Sequence, residues 1–288
     1  MEYIFHLAIL FSLFAIFAIS LDLVAGYTGL ISVCHAAFYG VGAYTTALLV
    51  QGIGLNFFFA LLVGMLLTGI VALVLGLVFL KFKGDYYVLG TLGFTYIAYT
   101  VFMNWQSVTN GPLGVPGIPR PEIFGFSFSN SLSFLILSLL ILAGVYATAR
   151  FIVSSSFGRV LRAIREDEEA ITVFGYRTSA FKLLIFVFSA MIAALGGGLL
   201  ASYLTYIDPG TFGITESIFV LSIVILGGLG SLRGPVVGAL ILVLLPEALR
   251  FVGFSPDIAA QMRVLIYGLL LVIMMRYRPQ GLLGEYKL

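Results

Sequence analysis

Cys34 stands directly before His35, and a thiol beside an imidazole is the pair that nucleophilic catalysis uses. Catalysis would need the two to meet in space. On a helix, neighbouring side chains point about 100° apart. No G-x-S-x-G, H-E-x-x-H or G-x-x-x-x-G-K-[ST] pattern occurs, and no pair of intramembrane aspartates, so hydrolase and nucleotide-binding readings have no motif behind them. The remaining candidates are ionisable groups inside or beside apolar stretches: Asp22, His35, Asp208, Glu216, Glu247, Arg250 and Arg263. Charge in such places is costly and marks function when it is kept. Asp22 is read as reaching the nearer interface, and His35 as a neutral ring satisfied by a nearby carbonyl. Glu216 and Asp208 are placed close to the outer face. Glu247 and Arg250, three apart on one helix, form a candidate pair. No histidine, cysteine and carboxylate spacing suggests a metal site.

The elements that hold these residues must live in lipid. Of 288 residues, 61% are hydrophobic and 10% charged, too few charges to cover a soluble body of this size. In hydrocarbon every backbone polar group must pair within the protein. The apolar runs are long and do not alternate, so the fold class is an all-α polytopic membrane protein of about 8–10 helices, one domain over 1–288. Candidate spans lie at 4–25, 29–50, 57–80, 86–108, 131–152, 182–206, 214–232, 234–252 and 259–276. The first has no basic region before it and reads as a retained helix. Cys34 is the single cysteine, so no internal disulfide forms. Nothing resembles a basic, aromatic-interleaved nucleic-acid surface.

One segment does not belong in a bilayer. Residues 154–182, SSSFGRVLRAIREDEEAITVFGYRTSAFK, hold nine charged side chains. Val160, Leu161, Ala163, Ile164, Ala170, Ile171, Val173 and Phe174 give one helix, or two short ones, an apolar stripe. Ser156 is the candidate N-cap and Gly175 the stop. The basic start and acidic end oppose the macrodipole, so local helix stability does not explain the charge order. Two explanations remain open: a docking face for a soluble partner, or a solvated helix with internal pairs Arg162–Glu166 and Arg165–Glu169. With this segment inside the cell, Lys81, Lys83, Arg150, Arg159, Arg162, Arg165, Arg177, Lys182, Arg233, Arg276, Arg278 and Lys287 gather on the inner side. Arg120, Arg250 and Arg263 do not. The C-terminus is then cytoplasmic and the N-terminus outside, unless 29–50 is re-entrant.

Two spans are interrupted by glycine: Gly26 to Gly42 (GYTGLISVCHAAFYGVG) and Gly227 to Gly238 (GGLGSLRGPVVG). Paired broken spans in the two halves point to a midplane binding site, whereas close helix packing uses the same residues. On the pathway reading, Thr28, Ser32, His35, Phe38, Tyr44, Phe94, Gly227 and Gly230 are candidate pathway residues. Helix N-termini freed at the breaks suit a carboxylate. An ion-coupled carrier stays open as an alternative, with Asp22 and Glu247 as its deep acids.

Glu169-Ala170-Ile171-Thr172-Val173-Phe174-Gly175 resembles the EAA loop of ABC importer permeases, with Ile171 in place of the second alanine. Gly158-Arg159, Ala163-Ile164-Arg165-Glu166 and Gly175 to Lys182 are similar to the branched-chain amino-acid permease subunits of the Liv system, most closely the M-type. So, in order along nearly the whole chain, are Gly26-Tyr27-Thr28-Gly29, His35-Ala36-Ala37-Phe38, Gly84-Asp85-Tyr86-Tyr87, Asn110-Gly111-Pro112-Leu113-Gly114, Gly227 to Pro235 and Arg278-Pro279-Gln280-Gly281-Leu282. Cys34 departs from the glycine expected before the histidine. The resemblance implies an importer permease in the plasma or inner membrane, working with a second homologous permease, two cytoplasmic ATPase subunits and an extracytoplasmic binding protein. It implies that ATP and Mg²⁺ are used by the ATPases and that no cofactor binds this chain. Docking falls to Gly158, Arg159, Arg162, Ala163, Arg165, Glu166, Glu169, Ala170 and Gly175. Branched-chain or hydrophobic amino acids are the expected cargo; urea, short amides, sugars and nucleosides are handled by related permeases.

Overall fold

The computed structural model describes every residue except 1, 83, 124–125, 252–255, 279 and 285–288. Lys83, Pro279 and Lys287 therefore lie outside the described residues, as do the side chains of Arg250, Asp257 and Arg263.

Twelve α-helices are described: α1 (Glu2–Thr28), α2 (His35–Ile53), α3 (Phe57–Phe79), α4 (Asp85–Asn104), α5 (Gln106–Thr109), α6 (Ser131–Ser154), α7 (Ser156–Glu166), α8 (Glu168–Val173), α9 (Thr178–Leu204), α10 (Ile214–Gly227), α11 (Arg233–Phe251) and α12 (Pro256–Tyr277). Among the described residues, six are long and apolar enough to cross a membrane: α1, α2, α3, α4, α6 and α9. The protein is thus an all-α polytopic membrane protein.

Two expected spans are shorter than the apolar runs that suggested them. The run 29–50 becomes a non-helical connection to 34 followed by α2. The run 214–232 becomes the 14-residue α10 and a turn. At 1.5 Å per residue α10 rises about 21 Å, less than a hydrocarbon core of about 30 Å. Glycine explains both interruptions: Gly29, Gly228 and Gly230 take positive φ of 74°, 111° and 75°, which other residues avoid.

α1 and α9 form the centre. α9 packs along α2 and α3, and α1 against α6, α9 and α11. A Cβ on Gly197 would stand 1.9 Å from the Tyr39 carbonyl oxygen, and one on Gly42 2.4 Å from Ala194 Cα, so α2 and α9 touch backbone to backbone. α3 and α4 instead turn Leu62, Ile70, Val74, Tyr86, Leu89 and Ile97 outward, as lipid-facing helices do.

Loops gather at two ends. At one, Val115 and Pro116 of β1 (Val115–Pro116) pair antiparallel with Ile207 and Tyr206. Gln51 donates to the Pro116 carbonyl at 2.6 Å, and His6 Nδ1 lies 2.5 Å from the Tyr203 hydroxyl. The other end holds the last turn of α1, the 154–182 segment and the 228–232 turn. The start of α1 and the charged segment are therefore at opposite ends of the bundle, as an odd number of crossings between them requires.

Candidate functional site

The charged segment folds as two short helices broken at Asp167. Ser155, not the expected Ser156, caps α7, accepting from the Gly158 N–H at 3.4 Å. Asp167 caps α8, accepting from the Ala170 N–H at 2.9 Å. The apolar stripe of α7 is seated: Gly158, Leu161 and Ile164 are buried. Gly158 lies so close to the end of α6 that a Cβ would meet the Val153 carbonyl oxygen at 2.2 Å.

The anticipated pairs within the segment do not form. Arg162 donates to the Val153 carbonyl at 2.9 Å and stands over the Tyr27 ring. Arg165 donates to the Gly26 carbonyl of α1, and the break at Asp167 removes its i, i+4 relation to Glu169. The ion pair observed is Lys182 with Glu168 at 2.5 Å, which ties α8 to α9. The arginines thus split by role. Arg162 and Arg165 seat the loop on the membrane part. Arg159, Glu166 and Glu169 stay exposed with Gly175, and Ala163 and Ala170 are half-buried. The α8 half of the expected stripe is not seated: no residue of α8 is buried, and Val173 is 87% and Phe174 77% exposed at the loop's tip.

The candidate pathway residues separate into three groups. Ser32 and His35 lie in the connection between α1 and α2. The Ser32 and Ser189 hydroxyls stand 3.1 Å from His35 Nδ1 and Nε2, so hydroxyls and not the expected carbonyl satisfy the ring. Thr91 and Thr95 of α4 also serve this connection: Val33 donates its N–H to Thr91 Oγ1 at 3.2 Å, and Thr95 Oγ1 donates to the Val33 carbonyl at 3.0 Å. Ser217 of α10 accepts from the Ala36 N–H at 3.3 Å. Lone hydroxyls within apolar spans were the available signal for these partners. Phe38 closes the group, edge-on to Phe186 with centroids 5.5 Å apart and tilted against Phe94 at 5.7 Å. Tyr44 belongs to a second aromatic group with Phe102 and Phe212, nearer the opposite end.

The third group lies at the end that carries the charged segment. Thr28 donates back to the Val24 carbonyl at 2.7 Å. Asp22, read from sequence as reaching an interface, is fully buried, and its Oδ1 accepts from the Gly230 N–H at 2.9 Å. A Cβ at Gly26 would lie 2.5 Å from the Gly230 nitrogen, and one at Gly227 would lie 1.9 Å from the Gly234 carbonyl oxygen. Leu282 and Leu283 close the turn from below, donating to the Leu226 and Gly227 carbonyls at 2.9 Å.

Between α1, α10, α11 and α12 is a cavity of about 540 Å³, lined by His6, Phe14, Glu216, Phe219, Glu247 and Tyr267 among others. Glu216 therefore faces a cleft and not a plain outer loop. Glu247 Oε2 is buried without a hydrogen-bond partner among the described residues, and its expected partner Arg250 lies outside the described side chains. Asp208 caps the 3₁₀ turn 209–212, accepting from the Thr211 hydroxyl at 2.8 Å.

A many-helix membrane body, broken helices meeting at buried polar contacts, and a seated charged loop with an open tip suit a transport permease. Its residues 3–275 match the model of the branched-chain amino acid transport system permease component, and the chain belongs to that family. It is 33% identical to the high-affinity branched-chain amino acid transport system permease protein LivM of Escherichia coli K12, over 96% of this chain and 69% of that one. Against the probable LivM of Methanocaldococcus jannaschii the identity is 27%, over 82% and 70% of the two chains. Against LivH of Salmonella typhimurium it is 26%, over 99% and 96%. No solved structure matches the chain.

Proposed function

We propose that this chain is the permease subunit of an ABC importer that moves branched-chain amino acids. The observation behind the proposal is the family match over residues 3–275 joined to a loop whose tip exposes Val173 and Phe174 beside Glu166, Asp167 and Glu169. Exposed aromatic and aliphatic groups rimmed by charge suit a protein groove. The chain lacks a P-loop, so energy reaches it through a partner.

On this reading an ATPase holds α8 and the open face of α7. ATP and Mg²⁺ belong to that ATPase, and the permease performs no catalysis of its own. Closure of two ATPases shifts α7 and α8 as rigid bodies and alternates access across the bundle. A second, homologous permease completes the channel, and a binding protein delivers cargo at the end carrying Asp208. The loop and C-terminus face the cytoplasm. The carboxylate of a zwitterionic cargo would meet backbone N–H groups at the breaks after α1 and α10, with Phe38, Phe94 and Tyr44 beside the apolar side chain.

The test uses the assembled complex in proteoliposomes. Phe174→Asp together with Glu169→Lys should abolish co-purification of the ATPase while leaving the permease inserted. These side chains face water, so folding does not depend on them. ATPase retained at the wild-type level would overturn the docking assignment. Leucine uptake by the permease without any ATPase would overturn the importer reading.

A further inference from the structure

Asp22 is fully buried, yet only half of its carboxylate is used: Oδ1 accepts from Gly230, and Oδ2 has no partner among the described residues. Stability does not account for the choice. Asparagine can accept the same bond without a buried charge, and an unmatched buried acid is the costlier group. Something other than the described contacts must call for the second oxygen.

Arg165 reaches the same turn of α1 from α7, close enough for its charge to act on Asp22. Its guanidinium bonds the Gly26 carbonyl, four residues beyond Asp22 on the same helix. Gly26 is among the last residues of α1, where carbonyls lack helical partners. That last turn has no basic residue of its own, so Arg165 of α7 supplies the positive charge that a helix C-terminus favours. The Asp22 carboxylate folds over Gly26, so the carbonyl that Arg165 occupies and the empty Asp22 oxygen are neighbours one turn apart on α1. That arginine sits on the element proposed to carry motion in from the ATPase.

We propose that Asp22 and Arg165 form a switch pair. In the described state Arg165 holds the Gly26 carbonyl; in the other transport state it moves to Asp22 Oδ2. The exchange frees the last turn of α1 and draws on the carboxylate that holds Gly230. The Asp22 carboxylate is itself the side chain at this contact: Oδ1 stands 2.1 Å, and the Gly230 nitrogen 2.5 Å, from where a Gly26 Cβ would be, so a shift of the carboxylate passes directly to the Gly230 backbone. The turn between α10 and α11 then moves with α7. Asp22 is thus a positioning residue, linking the docking loop to a turn more than two hundred residues away in sequence.

This inference rests on the importer reading, and the wild-type complex separates the two. If the wild type shows no ATP-driven uptake, that reading fails; the switch is judged only against an active wild type. Asp22→Asn keeps the bond to Gly230 and removes the charge. Uptake should fall at least about tenfold, while ATPase co-purification and basal ATP hydrolysis stay at the wild-type level, a split that mere loss of folded protein does not produce. Arg165→Gln should lower uptake similarly, and the double variant should be no worse than either single one, because a pair can be broken only once. Wild-type uptake in Asp22→Asn, or multiplied losses in the double variant, overturns the proposal. Should Asp22→Asn fail to assemble, Arg165→Lys against Arg165→Gln decides. Lysine should remain within about threefold of wild type and glutamine should not; equal uptake by the two overturns it.

Discussion

Two glycine-bearing interruptions, after α1 and after α10, look alike in sequence and are built differently. The 29–34 connection is held by side-chain hydroxyls. Ser32, Thr91, Thr95, Ser189 and Ser217 bring their oxygens to His35 or to the open backbone. The 228–232 turn is held mostly by main chain, with the Asp22 carboxylate accepting from Gly230: Gly227 lies on Gly234, Gly230 on Gly26, and Leu282 and Leu283 bond beneath it. Hydroxyls rotate and can trade partners. Backbones in contact cannot. The same residue type thus marks one joint that can adjust and one that can only move as a block.

Substitutions can break this contrast. The largest effect is expected for Gly227→Ala, whose new methyl would stand 1.9 Å from the Gly234 carbonyl oxygen. Overpacking against backbone should cost about 3 kcal/mol or more and leave little monodisperse protein in detergent. His35→Ala should come next, at about 2–4 kcal/mol, from a cavity and two hydroxyls left without their ring partner; His35→Gln should recover part of the loss in a thermal melt. Ser217→Ala removes one acceptor from the Ala36 N–H and should cost about 1 kcal/mol. Cys34→Ala should be smallest, below about 1 kcal/mol with uptake intact, since it removes one small buried atom whose hydrogen-bond contact is the Ser32 hydroxyl, 3.2 Å away. A tolerated Gly227→Ala beside a destructive Ser217→Ala would invert the comparison.

Much of the fold was readable in the chain. Each apolar run carries a helix within a few residues, because lipid leaves a span little alternative to satisfying its own backbone. The interruptions were readable too, since glycine marks them. What filled them was not. Asp22 and Gly230 are far apart in the chain, as are His35 and Ser189, and no local pattern pairs an acid with a distant N–H. Reading Asp22 as an interface residue followed from the cost of burying charge; the structure offsets part of that cost with the Gly230 N–H. The 154–182 segment stood out by its charge, but helical spacing misjudged its pairs. Asp167 breaks the helix there, and Arg165 finds a carbonyl on α1 that sequence spacing cannot reveal.

The exposed tip of α8 bears on the life of the chain before assembly. Val173 and Phe174 are among its most accessible large apolar side chains and lie in the charged loop, outside the six helices able to cross a membrane. If a companion covers the tip as proposed, a copy inserted without one would display these side chains to every chaperone and protease it meets. Shielding by the proper companion would make turnover of surplus copies self-limiting, so that the scarcer gene product sets how many finished machines a cell retains.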